Sequence, residues 1–458
     1  MAASNTSDTM DRRDFLKISG AAAVSAGLAS CAPKTSTAAA ESKQSLGPEH
    51  MEQHFPGIGL LGFGAMRWPS SEDGVIDQEA VNEMVDYALA HGVNYYDTAP
   101  VYLRGQSERA TAIALLRHPR ESYLIATKCS NFRGPWSFEQ GRDLYLKSFE
   151  NFETDYLDYY LLHSLSGYAA FKMRFEDTGL IDYFVKEREA GRIRHLGFSF
   201  HGPAEGFDEM MALHDKYHWD FVQIQMNYSD WTHAKRDVNA IHMYEKLTEM
   251  NIPIVLMEPL LGGRLATQPA AITDMLKAER PDKSVASWAF RFVGSFPQIM
   301  CVLSGMTRME HLKDNLETYL DFEPLSKEEF RLLDEVAIRM NEYPQVECND
   351  CKYCLPCPYG IDIPGVFKFY NDNIKAGTYV VNSEQKNYAK VRRKYLLEYN
   401  KAVPTIRQAD HCIGCKQCLE TCPQQLNIPV ELRRIDQYIE ALKQEKLVTT
   451  QTTRQGRG

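Results

Sequence analysis

The chain has 458 residues, 44% of them hydrophobic, enough to bury a large core spread over two or three domains. Its formal charge of -10 and its pI near 5.8, with basic residues scattered along the chain, argue against nucleic acid as a partner, because phosphate binding needs a basic patch. Eight of the cysteines lie between Cys348 and Cys422, which points to a metal centre or a disulfide framework in one small domain.

In chain order, Asp11-Arg12-Arg13-Asp14-Phe15-Leu16-Lys17 precedes a run of mostly small residues, Ile18 to Ser30, that closes on Leu28-Ala29-Ser30-Cys31. The run is too short and too rich in Gly and Ala for a stable transmembrane span. Residues 1–31 look like a twin-arginine signal ending in a lipobox, with Cys31 the lipidated first residue of the mature chain. That pattern implies export by the twin-arginine route and a lipid anchor on the periplasmic side of a bacterial envelope as the only membrane contact. Residues 32–55, full of Ala, Ser, Thr and Lys, read as a flexible tether.

From residue 56 to 343 two textures alternate. Short apolar, β-prone runs recur near 58–64, 92–97, 122–127, 156–162, 194–199, 220–225, 253–257 and 299–303. Helix-period segments separate them, for example Gln78 to His91, Gln140 to Asn151 and Ala234 to Met250. This alternation predicts an α/β fold, a (β/α)8 TIM barrel. A doubly wound open sheet is the alternative, weakened because no Gly-x-Gly-x-x-Gly loop opens a helix after the first run.

In a barrel, function sits just past the strand ends. Those positions hold Asp97 and Tyr102 after the second run, Lys128 after the third, His163 after the fourth, Ser199 after the fifth and Gln223 in the sixth. A carboxylate, a phenol, an ammonium and an imidazole at three adjacent strand ends make a proton donor. A free tyrosine has a pKa near 10, and a nearby ammonium lowers it; Lys128 supplies that charge, Asp97 holds Lys128, and His163 orients the reacting oxygen. The bland alternative for each residue alone is a solvated or structurally satisfied side chain.

Asp97-Thr98-Ala99 with Tyr102 beyond it, Lys128, and Asp158-Tyr159-Tyr160-Leu161-Leu162-His163 resemble the aldo-keto reductases over roughly residues 57–325. The resemblance implies carbonyl reduction with a nicotinamide cofactor. Tyr102 would be the general acid, Lys128 and Asp97 its tuning pair, and His163 the substrate-positioning residue. It further implies that Ser199 and Gln223 hold the carboxamide, and that Ser304, Gly305, Asp314 and Asn315 bind the adenosine end of NADP(H) or NAD(H). The nicotinamide-stacking position falls near Met257-Glu258. The positions that grip a 2'-phosphate fall near Gly305 and His311, neither a fixed cation, with Arg308 close by; Phe200 stands where an asparagine often follows the matched serine.

Past Tyr343 the texture changes to Cys348-x2-Cys351-x2-Cys354-x2-Cys357-Pro358 and, further on, Cys412-x2-Cys415-x2-Cys418-x3-Cys422-Pro423. The second is the bacterial ferredoxin run, whose last cysteine ligates the other cluster. Residues 344–447 therefore read as a small, mainly helical ferredoxin-like domain with two [4Fe-4S] clusters. Cys348, Cys351, Cys354 and Cys422 are expected on one and Cys412, Cys415, Cys418 and Cys357 on the other. Zinc and four disulfides are the alternatives. Cys129 and Cys301 read as core residues, residues 363–409 as helical, Ile428 to Leu447 as one amphipathic helix, and residues 448–458 as a disordered tail.

The chain as a whole resembles a subgroup of aldo-keto reductase-like proteins with such a C-terminal domain. It reads as an exported oxidoreductase acting on a small carbonyl or alcohol, with a redox protein or a quinone as electron partner. The competing readings are an electron-transfer or docking module whose barrel is a scaffold, and clusters that serve only to clamp the domain.

Overall fold

The computed structural model describes residues 55–445 apart from 72, 133, 235–237, 321 and 381. The expected signal with Cys31, nearly all of the tether and the tail lie outside the described residues.

Eight parallel strands close into a barrel in sequence order, which removes the open-sheet alternative. They are β1 (Leu61–Gly64), β2 (Tyr95–Asp97), β3 (Leu124–Cys129), β4 (Leu157–Leu165), β5 (Ile193–Phe200), β6 (Phe221–Gln225), β7 (Ile254–Met257) and β8 (Ile299–Ser304). The strands read as near-continuous apolar runs because both faces are buried. Neighbouring side chains alternate between two compartments: Tyr95 and Tyr159 fill the barrel interior, whereas Tyr96 and Tyr160 face the surrounding helices. The remaining cysteines, Cys129 and Cys301, are buried core residues.

Helices α1 (Gln78–Ala90), α2 (Ser107–Leu115), α3 (Phe138–Phe152) and α4 (Leu180–Glu189) follow the first strands. Asp77 and Ser137 cap α1 and α3 by accepting from Ala80 N and Gln140 N. The expected long helix from Ala234 to Met250 is shorter. Its main part is α5 (Ala240–Glu249), because the Asn239 side chain accepts from His242 N and starts the helix there. β4 outruns its expected end at residue 162: the pairing with β5 shifts register between Leu162 and Leu165, and Ser164 takes a left-handed φ of 56°. That bulge re-aims His163.

The second domain is built on α6 (Ile363–Lys375), α7 (Tyr388–Ala402) and α8 (Ile428–Lys443), around Val366, Phe367, Tyr370, Tyr395, Leu432 and Ile435. Its two halves share a pattern. Cys357-Pro358 and Cys422-Pro423 are each followed, at the same spacing, by Asp362-Ile363-Pro364 and Asn427-Ile428-Pro429, and α6 and α8 both begin with that proline in their first turn. Each cysteine run thus feeds a helix start.

Candidate active site and metal centre

Asp97 ends β2, opposite Ala126 in the parallel ladder, and Lys128 lies two residues further along β3. Both are closed to solvent. Lys128 Nζ donates to Asp97 Oδ1 at 2.5 Å and to Thr98 O at 2.7 Å, and Gln223 Nε2 donates to the other Asp97 oxygen at 3.2 Å. Burial pushes the Lys128 ammonium down and the Asp97 carboxyl up, while their mutual attraction opposes both shifts.

Pro100 breaks the strand run, and Tyr102 opens a short turn in which Leu103 and Arg104 take left-handed φ values of 50° and 58°. Thr98 and Ser107 hydroxyls pair at 2.8 Å, and Ser107 Oγ donates to Ala65 O at 2.7 Å, which pins this loop to the turn just after β1. The Tyr102 ring centroid lies 5.0 Å from Lys128 Nζ, and its edge meets His163 at 5.8 Å between centroids. The four residues at the three strand ends therefore stand together.

Two residues outside the expected set hold His163. Ser130 Oγ is 2.6 Å from His163 Nδ1. Buried Arg174 donates to His163 O at 2.6 Å, to Ser164 O at 3.0 Å and to Asn131 Oδ1 at 3.0 Å, tying the loop after β3 to the β4 bulge. Burial, then Lys128 and Arg174, push the His163 pKa well down, so the ring is neutral. A hydroxyl two residues past Lys128 was the only trace of Ser130 in the sequence; Arg174 lay in a loop with no motif.

The expected lowering of the Tyr102 pKa does not occur. Burial first, then Tyr353, Asp97 and Glu258, raise it well above 10. Lys128 is consumed by Asp97, so the pair presents little net charge to the phenol, and the mouth above Tyr102 is covered.

The cover is the second domain. Tyr353, between Cys351 and Cys354, stands beside Tyr102 and packs on Phe132 at 6.0 Å. Asn349 Nδ2 donates to Glu258 Oε1 at 2.6 Å, and Arg67 donates to Asn349 O. Gln424 Nε2 meets Gln225 Oε1 at 3.2 Å, and Gln425 Nε2 donates to His201 O at 2.8 Å. Glu347 lies 3.8 Å from Arg264, both buried. These barrel residues lie at or just past the ends of several strands, so the domain sits on the C-terminal mouth.

The residues expected to bind a dinucleotide are engaged by other groups of the chain. Ser199 Oγ accepts from Ser164 N at 2.7 Å, Asn315 Nδ2 donates to Ser304 Oγ at 2.9 Å, Asp314 accepts from Ser284 Oγ at 2.8 Å, and Gly305 lies under the Arg67 chain. With Glu258 engaged by Asn349, the mouth as folded does not fit a dinucleotide.

The thiols do fit iron and sulfur. Cys348, Cys351, Cys354 and Cys422 line one cavity with Ile363, Phe367 and Leu426. Cys357, Cys412, Cys415 and Cys418 line a second with Tyr353 and Pro358, which Cys354 also touches. Burial and then Cys351, Cys348 and Cys422 raise the Cys354 pKa, ahead of Cys418. None of the ten described cysteines is in a disulfide. Among the described residues no three His, Cys, Asp or Glu converge closely enough for a single metal ion; thiolates around a cubane stand further apart than those on one zinc.

A model of the "Aldo/keto reductase family" matches residues 60–338, a "TAT (twin-arginine translocation) pathway signal sequence" matches 9–29, and a "4Fe-4S dicluster domain" matches 347–427. The chain is 23% identical to L-galactose dehydrogenase of Arabidopsis thaliana over 298 residues, 61% of this chain and 90% of that one. It is 26% identical to Protein tas of Escherichia coli over 316 residues, 57% and 89% of the two. Among solved structures it resembles an aldo-keto reductase of Bacillus halodurans in its holo form, at 22% identity over 61% of this chain and 92% of that one, with a TM-score of 0.49. An aldo/keto reductase of Klebsiella pneumoniae in complex with NADP and acetate gives 21%, 61%, 92% and 0.48.

Proposed function

The chain belongs to the aldo/keto reductase family, and from that premise we propose that it is an exported oxidoreductase that interconverts a carbonyl and an alcohol at Tyr102. The observation that carries the reading is the meeting of Tyr102, His163 and the buried Lys128–Asp97 pair at one point of the barrel mouth. A buried ion pair costs desolvation, and its retention beside a phenol is understandable as chemistry.

In the reducing direction the carbonyl gains two electrons and two protons: Tyr102 gives one proton to the oxygen, an outside redox partner supplies the electrons one at a time, and water supplies the proton that the carbon takes. Lys128 stabilises the phenolate left behind, and Asp97 fixes Lys128. Neutral His163, held by Ser130, donates a hydrogen bond to the same oxygen. Phe132, whose ring centroid lies 4.7 Å from that of His163, supplies aromatic surface for the substrate.

Two [4Fe-4S] clusters belong to the reading, one on Cys348, Cys351, Cys354 and Cys422 and one on Cys412, Cys415, Cys418 and Cys357. When bound they supply one-electron transfer, with a redox protein or a quinone as the outside partner. Lipidation at Cys31 would anchor the chain at the periplasmic face. The nicotinamide that the family implies has no step here, since the covered mouth does not accommodate it.

The test is Tyr102→Phe in protein purified with its iron, assayed over a panel of carbonyls and alcohols with one-electron donors and acceptors. Turnover should fall roughly 100-fold to 10,000-fold. Unchanged turnover would favour a second reading, an electron-transfer module with the barrel as scaffold, which the placement of Tyr353 beside Tyr102 supports.

A further inference from the structure

The family resemblance assigns the barrel mouth to a dinucleotide, with its nicotinamide near Met257 and Glu258 and its adenosine end near Ser304, Gly305, Asp314 and Asn315. In this chain that route is filled by the chain itself. At the adenosine end, the Arg67 side chain lies so close to Gly305 that a Cβ there would stand 3.0 Å from Arg67 Cδ, and its guanidinium reaches Asn349 O. Midway, a Cβ on Gly262 would stand 2.4 Å from Asn349 Cα, so the two backbones are in direct contact. At the nicotinamide end Asn349 donates to the Glu258 carboxylate at 2.6 Å, and Tyr353 stands beside Tyr102.

A loose lid would look different. The segment carries three thiols that line one cavity with Cys422, from the far half of the domain, and Gln424 and Gln425 next to that cysteine are bonded to the barrel in their own right. Lifting the segment would break both sets of contacts or pull the shared thiols apart.

We propose that the segment Glu347–Cys354 permanently occupies the place over the barrel mouth that a nicotinamide dinucleotide takes in the family, so that the folded chain binds neither NADPH nor NADH. Tyr353, which stands beside Tyr102, is carried on the same segment as Cys351 and Cys354. The proposal goes beyond the carbonyl chemistry proposed above and stands or falls apart from it, because it concerns binding and not turnover.

The experiment uses the full chain purified without oxygen and with its iron, its fold checked by the cluster absorbance. NADPH and NADH are titrated by calorimetry up to about 1 mM, bound nucleotide is sought in an acid extract, and amide exchange of residues 347–354 is followed with and without NADPH. We expect no saturable heat, no extracted nucleotide and unchanged protection of the segment. Stoichiometric binding, nucleotide in the extract, or loss of protection on adding NADPH would each overturn the proposal.

Discussion

Tyr353, a residue of the iron–sulfur domain, stands beside Tyr102, the phenol of the barrel site, and raises its pKa. Tyr353 is, after burial, the largest cause of the high Tyr102 pKa. Tyr353→Phe should therefore move the Tyr102 pKa down, though not below its free value near 10, because burial remains. The check is the alkaline limb of the pH–rate profile, expected at lower pH in the variant; a limb moved upward would contradict the contact.

Lys128 and Asp97 form a closed pair at 2.5 Å with no solvent on either side. Lys128→Met leaves the carboxylate buried without its cation, at an expected loss of about 3–5 kcal/mol in denaturant unfolding. The double variant Lys128→Met with Asp97→Asn should recover much of that stability while remaining inactive. Recovery of activity along with stability would mean that the pair only supports the fold.

His163 is held neutral by burial and by the charges of Lys128 and Arg174. Its folded pKa lies well below the unfolded value near 6.5, so between the two the unfolded chain binds a proton that the folded chain refuses. Stability should then fall as pH drops below 6.5, by up to about 1.4 kcal/mol per pH unit from this group. His163→Gln should flatten that slope between pH 5.5 and 7. An unchanged slope would show that other groups carry it.

The two cysteine cavities predict separable metal sites. Cys412 lines only the second of them, so Cys412→Ser should lose roughly half the iron and keep the spectrum of the centre on Cys348, Cys351, Cys354 and Cys422. Loss of all iron would show that the two centres assemble as one unit.

Gly262 combines a φ of +66° with the contact against Asn349. Gly262→Ala should unseat the second domain, read as faster proteolysis between residues 341 and 347, at a cost of roughly 1–3 kcal/mol. Proteolysis at the wild-type rate would mean that the contact yields.

Much of this was legible from sequence, and for a physical reason. Barrel strands buried on both faces must be apolar runs, and the ligand spacing of an iron–sulfur run is local, so β1 to β8 and both cysteine runs can be read along the chain. That Asp97, Tyr102, Lys128 and His163 would stand together was readable because they fall at or just past adjacent strand ends of a barrel. The repeat from Cys357 to Pro364 and from Cys422 to Pro429 was equally local and went unread.

What only the tertiary structure decided is how the two domains meet. No periodicity along the chain says that Asn349 rests on Gly262 or that Tyr353 reaches Tyr102, because such contacts arise from docking two finished surfaces. The same docking reversed the expected direction of the Tyr102 pKa. The sequence supplied an ammonium near the phenol, but burial under the second domain outweighs it, and the Lys128 charge is already paired with Asp97. Chain chemistry named the residues, and burial set their protonation.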